Sequence, residues 1–133
     1  MHKIRITTLA GFCFLVAASV QGRADNLPSF SAHVVPILKR RCATCHITGQ
    51  EPGMMSLVPN KAYQSLVGVK SVESELLRVK AASPDESYLL HKILGSQLSA
   101  GGNGERMPFM APPLSAAQID TIRSWIESGA PDN

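Results

Sequence analysis

Aromatic side chains are scarce in this chain: four Phe, two Tyr and one Trp in 133 residues. A small domain with so few aromatics is short of core bulk unless something else supplies it. Cysteine is scarcer, with three residues, which excludes the disulfide-dense frameworks of small secreted domains. No second Cys pair and no pair of histidines at zinc spacing is present, so a four-ligand zinc site is excluded. Nucleophile–base pairs, phosphate-cradling glycine loops, nucleic-acid motifs, internal repeats and low-complexity tracts do not rise above background.

What the chain does have begins at its N-terminus. Lys3 and Arg5 precede an apolar run, Ile6 to Val20, and then Gln21-Gly22-Arg23-Ala24 with small residues at Gly22 and Ala24. This is the charged, apolar and small-residue order of a secretory signal peptide, with cleavage expected after Ala24. The run is shorter than the roughly 20 residues of a membrane span. Residues 1–24 are therefore read as the signal and 25–133 as one domain, with a periplasmic or secreted address and no stable membrane insertion. Cys13 sits inside the run after bulky Phe12, which argues against lipidation. Removing the signal removes Cys13 and three basic residues. Ten basic and ten acidic residues remain in the mature chain, a balance that gives no sign of nucleic-acid binding or strong charge steering.

The two remaining cysteines lie in Cys42-Ala43-Thr44-Cys45-His46. Cys-x-x-Cys-His is the attachment signature of c-type haem. Its two thiols add to the two vinyl groups along one porphyrin edge, and the following histidine supplies the proximal imidazole. A redox dithiol would want a βαβ context, half a zinc site would want its other half, and a disulfide would close too short a loop to stabilise much. One covalently bound haem c uses both thiols and supplies the missing apolar bulk. Cys42, Cys45 and His46 are thus the expected cofactor-binding residues, with His46 on the metal.

The rest of the chain reads as short helices and loops. Phe30, Val34, Ile37 and Leu38 recur at helical spacing and predict a helix running into Cys42, kinked or restarted at Pro36. Lys39-Arg40-Arg41 reads as a solvated last turn favourable to the helix C-terminus. Ile47 to Pro59 reads as loop, Ala62 to Val67 as a short helix and Gly68 to Lys80 as a small hairpin. Ser83, Pro84 and Glu86 predict a capping box opening a helix to about Leu94, stopped by Gly95. Gly95 to Glu105 is expected to be the loosest loop, and Arg106 to Pro113 an extended strand. Ser115 and Gln118 predict a second capping box on a final helix to Ser128, with Ile119, Ile122, Trp125 and Ile126 buried.

A second axial ligand would set the chemistry. Met107 is the leading candidate. It lies far along the chain from His46, and Pro108 stiffens the backbone after it. Met110 and His91 are the alternatives. Met54 and Met55 follow the proximal site too closely and are expected to pack beside the haem, and His33 shares the attachment helix.

Taken together, the haem motif, Arg106-Met107-Pro108 and the terminal Leu114-Ser115 to Trp125-Ile126 pattern resemble a class I c-type cytochrome. The closer resemblance is to planctomycete-type cytochrome c modules, through Pro36-Ile37-Leu38 before the haem site, Pro84 to Leu89, and the closing Trp125 to Gly129-Ala130. Phe109 departs from the family, which usually has a second proline there. The resemblance implies a mainly α, small single-domain cytochrome c fold, with haem in the cleft between the N- and C-terminal helices. Trp125 would pack at their crossing or on a haem edge. It further implies His46/Met107 ligation and a monomeric carrier of single electrons between redox proteins, not an enzyme. The rival readings are a haem protein with a displaceable distal ligand, peroxidase-like or gas-binding, and an electron-feeding subunit of a larger secreted oxidoreductase.

Overall fold

A computed structural model describes residues 27–133. The expected signal peptide, the expected cleavage after Ala24 and Cys13 lie outside the described residues. Within them the regular structure is helical, and no strand forms.

The first helix opens as a π turn, Phe30–Val34, and continues as α1, Val35–Arg41. Pro36 sits in the first turn of the α stretch, where its missing N–H leaves no intrahelical bond unmade. Ser29 caps the turn by accepting from the Ala32 N–H at 3.2 Å. Phe30, Val34, Ile37 and Leu38 form its buried face, as their spacing predicts.

The final helix, α4, spans Ala116–Glu127. Its capping box is formed in both directions: the Gln118 N–H donates to Ser115 Oγ at 3.3 Å, and the Ser115 N–H donates to Gln118 Oε1 at 3.0 Å. Ile122, Trp125 and Ile126 are buried, and Ile119 packs against them half-buried. Trp125 is fully buried. Its ring lies 5.0 Å from that of Phe30, and its indole N–H donates to the Pro131 carbonyl at 2.9 Å. Tyr63 meets Phe30 edge-on at 5.2 Å. The three rings lock the first and last helices together. The Asn133 side chain and carbonyl accept from the Phe30 and Ser31 N–H groups at 2.8 and 2.7 Å. This satisfies donors that a helix start otherwise leaves open.

Between these helices lie α2, Ala62–Leu66, and α3, Tyr88–Leu94. The segment expected as a hairpin holds one antiparallel bridge, Lys70 with Leu77. The Ser71 N–H donates to the Leu76 carbonyl and the Arg78 N–H to the Val69 carbonyl, but no strand results.

The Ser83 capping box does not form. Pro84–Glu86 is a single 3-10 turn, and Ser87, extended at φ −104° and ψ 107°, separates it from α3. Ser87 Oγ accepts from the Lys80 N–H at 2.9 Å and donates to the Ser83 carbonyl at 2.9 Å. Lys80 Nζ takes the Glu86 carboxylate at 2.6 Å. Partners within seven positions take the place of the expected cap. α3 ends at Gly95, as expected.

Residues 106–113 are not extended throughout. They turn at Pro108–Ala111, with the Ala111 N–H on the Pro108 carbonyl at 3.4 Å and Met110 at φ 52°. No helix among the described residues is long and apolar enough to cross a membrane.

Candidate functional site

The cysteine pair lies where α1 runs out. Cys42 is the C-cap of α1, its N–H on the Leu38 carbonyl at 2.9 Å. The N–H groups of Cys45 and His46 both donate to the Cys42 carbonyl at 3.1 Å. One closed turn thus brings Cys42, Cys45 and His46 onto the wall of a single cavity of about 410 Å³. Its size falls within the roughly 300–1,000 Å³ of small-molecule and cofactor sites.

The placement argues against a redox dithiol. Reactive Cys-x-x-Cys pairs use a helix N-terminus or nearby cations to favour the thiolate. Here the pair follows a helix C-terminus, whose dipole disfavours negative charge. Burial pushes the Cys42 thiol up to about 11, against a smaller opposing effect of Arg41. Cys42 is half-buried, Cys45 is exposed, and the two sulfurs are not joined.

The His46 imidazole is held below its ordinary pKa, chiefly by burial. Its Nδ1 is buried with no hydrogen-bond partner. The loop behind it is fastened at several points. The Leu57 N–H donates to the His46 carbonyl at 2.8 Å. The Glu51 carboxylate accepts from the Thr48 and Gly49 N–H groups at 3.0 and 2.9 Å and from Thr48 Oγ1 at 3.0 Å. Arg78, 7% exposed, donates to the carbonyls of Ser65, Gly53 and Met54 at 2.8, 2.9 and 3.0 Å. Gly53, at φ 91°, could not carry a side chain without crowding Met55 Cε at 3.2 Å.

A second part of the lining comes from residues 98–113, called the strap below, through Met107, Pro108, Phe109 and Ala111. Met107 is half-buried and lines the cavity. Met110, its rival, is 91% exposed and lies off this cavity. The other rival, His91, also lies off it. Both His91 ring nitrogens are engaged, Nδ1 with Ser96 Oγ and Nε2 with the Asp85 carbonyl, each at 2.9 Å. Of the adjacent methionines, Met55 lines the cavity and Met54 is exposed. His33 is exposed, with Nδ1 accepting from the Ser29 N–H.

No residue of α4 lines the cavity. The cleft expected between the terminal helices lies instead between the end of α1, α3 and the strap. Trp125 takes the first of its two expected places, the helix crossing.

Residues that the sequence did not single out hold the strap. Tyr88 Oη donates to the Asn103 carbonyl at 3.3 Å, and Lys92 Nζ donates to it at 3.2 Å. Buried Gln97 donates to the Gly104 carbonyl at 2.9 Å, and the Met107 N–H donates to the Lys92 carbonyl at 2.8 Å. A Cβ on Gly102 would fall 2.3 Å from Tyr88 Oη, so only glycine fits there. The segment expected to be loosest is therefore fastened along α3. Arg41, expected in a solvated turn, is half-buried, lines the cavity and donates to the Pro112 and Pro113 carbonyls. Sequence could not show these roles, because the partners lie between 7 and 72 positions away with no repeating pattern to link them.

No family model, curated protein or solved structure matches this chain. Its site stands on geometry and chemistry alone. Among the described residues no group of three or more His, Cys, Asp or Glu side chains is placed to hold a metal ion. A c-type haem asks for something different: two thiols one turn apart, an adjacent imidazole with a free nitrogen, a second soft donor and an apolar cavity. Cys42, Cys45, His46 and Met107 are that donor set. Leu57, Leu66, Leu89 and Ile93 give the cavity apolar walls. The residues fit the group.

Proposed function

We propose that this chain is an exported monohaem c-type cytochrome that carries single electrons between redox proteins. One observation supports it above all: Cys42, Cys45, His46 and Met107, chosen for chemistry and spread over 66 positions, line one cavity. When bound there, the haem would supply a one-electron iron couple.

The chain's own residues do the rest. Cys42 and Cys45 would hold the porphyrin covalently at the end of α1. His46 would give its imidazole to the iron from the same turn, and Met107 a thioether from the strap. With both ligands in place no coordination position would be left for a substrate, which would suit a carrier and not an enzyme. A thioether ligand raises the reduction potential relative to a second imidazole. Leu57, Leu66, Leu89 and Ile93 keep water from the centre. Partners would meet it through small, short-lived interfaces. Residues 1–24 would direct the chain out of the cytoplasm, to the side of the membrane on which such attachment takes place.

The test is the intact mass and the spectrum of the exported protein. The mass should equal that of a chain starting near Asp25 plus one haem, and the haem should survive acid-acetone extraction. The iron should be low-spin with a weak methionine–iron band in the red. Extractable haem would end the reading. High-spin iron would favour the peroxidase-like or gas-binding alternative.

A further inference from the structure

Glu73 is the single acid among the residues that line the cavity. Its carboxylate joins three segments of the chain. Lys92 Nζ of α3 lies 3.0 Å from Oε2, and the Tyr88 hydroxyl, one turn earlier on α3, lies 3.4 Å from the same oxygen. The strap touches the pair as well. A Cβ on Gly104 would meet Lys92 Nζ at 3.3 Å and Glu73 Oε1 at 3.7 Å. The turn that carries Glu73 is held in its own right. The Glu73 N–H donates to Ser71 Oγ and the Leu76 N–H to Ser74 Oγ, each at 3.1 Å, and Ser74 Oγ donates to the Ala100 carbonyl of the strap at 3.4 Å.

Both groups that meet Glu73 also meet Asn103. Lys92 Nζ donates to its carbonyl at 3.2 Å, and the Tyr88 hydroxyl accepts from its N–H at 3.3 Å. Burial, and to a smaller extent the Glu73 charge, holds the Tyr88 phenol above its ordinary pKa, so it keeps its proton. Lys92 thus grips the strap twice: its ammonium holds Asn103, and its carbonyl accepts from the Met107 N–H at 2.8 Å. The second grip is fixed by the helix backbone. The first sits at the end of a flexible four-carbon stem, with the side chain 9% exposed. Among the described residues Glu73 is the carboxylate that pairs with it. A buried ion pair is weak ground for stability, because apolar residues of similar volume often serve as well. An apolar pair, however, cannot hold a carbonyl in a set place.

We propose that Glu73 is a positioning residue for the distal thioether: it keeps Lys92 and Tyr88 on Asn103, fixes residues 103–107 against α3, and so sets how firmly Met107 stays on the iron. The proposal rests on the haem reading and deepens it. Glu73 acts through Lys92 and Tyr88, and the pair serves position before stability.

The test uses the holoprotein, read by its methionine–iron band and its midpoint potential. Glu73→Gln keeps the shape and removes the charge. Most of the band should be lost, carbon monoxide should bind the ferrous iron, and the potential should fall. The direction matters. Loss of a negative charge from the cavity wall would by itself raise the potential, since an anion favours ferric iron, whereas loss of the thioether lowers it. An unaltered band or a rise in potential would overturn the proposal. A double variant, Glu73→Leu with Lys92→Leu, removes both charges together and separates position from stability. Its denaturation midpoint should lie close to that of the wild type, while the band stays weak. A double variant with a wild-type band would overturn the proposal, and it decides should Glu73→Gln fail to fold. A wild type that carries haem but lacks the band would overturn the proposal together with the ligand assignment, and would leave the haem reading standing. The intact mass decides that reading before any variant is made.

Discussion

The two walls of the cavity are built on opposite principles. The thiol–imidazole wall is local: Cys42, Cys45 and His46 share one turn, and the backbone bonds that close that turn span no more than four residues. The methionine wall is remote. The strap bearing Met107 is hung from Tyr88, Lys92, Gln97 and Arg41, the last across 71 positions of sequence. A local wall can be specified by a motif and survives changes elsewhere. A hung wall is only as well placed as its supports. The first can anchor a cofactor covalently, whereas the second can only tune it.

The comparison breaks most severely at His46. His46→Ala should abolish a stable low-spin holoprotein, and the apoprotein should be largely unfolded, because so small a domain has few aromatics to build a core alone. Circular dichroism and absorption of the purified variant check both. A cooperatively folded apoprotein would show that the local wall does not depend on its cofactor.

Next in size is the ligand on the hung wall. Met107→Ala should remove the methionine–iron band, lower the potential and open the iron to carbon monoxide. Met110→Ala should leave all three unchanged, since that side chain is in solvent. Loss of the band in Met110→Ala alone would reverse the assignment.

The supports themselves should matter less, and through position. Gly102→Ala forces a Cβ into Tyr88 Oη and should cost about 1–3 kcal/mol, as overpacking does. Denaturant unfolding gives that loss. The absorption band should weaken at the same time, because the strap moves with Met107. A destabilised variant with an unaltered band would mean that the strap holds Met107 without Tyr88.

The smallest effect lies behind His46. The backbone N–H groups of Thr48 and its neighbours hold the Glu51 carboxyl down to about 2 from the ordinary 4.5. A depressed folded value means that its contribution is complete above about pH 4.5 and is lost as pH falls towards about 2. Amide exchange at Thr48 and Gly49 should rise over that interval in the wild type, and Glu51→Gln should show no such acid-dependent step.

The same local–remote division sets what could be read in advance. The terminal helices were legible because periodicity and the Ser115–Gln118 box act within one turn. The Cys42–His46 turn was legible because its chemistry is contiguous. Ser83 is the exception among local signals: Lys80 and Ser87, three and four positions away, take the Glu86 carboxylate and the Ser83 carbonyl in place of the capping box. Arg78 and Lys92 gave no signal: their burial follows from carbonyls and a carboxylate that sequence does not place. Met107, which lines the cavity, was singled out through chemistry and its proline, while Tyr88, Gly102 and Arg41, which hold its segment, were not.

Trp125 is the single tryptophan of the chain, and it lies in the helix crossing and not in the cavity wall. Its fluorescence is therefore an internal light source seated outside the site it can monitor. A bound porphyrin would quench it by energy transfer, so a recovery of emission would report separation of the cofactor from the helix crossing. The colour of that emission would carry a second message, staying blue while the crossing is dry and shifting red only when water reaches the indole. One residue thus tells apart a molecule that has lost its cofactor from one that has lost its fold.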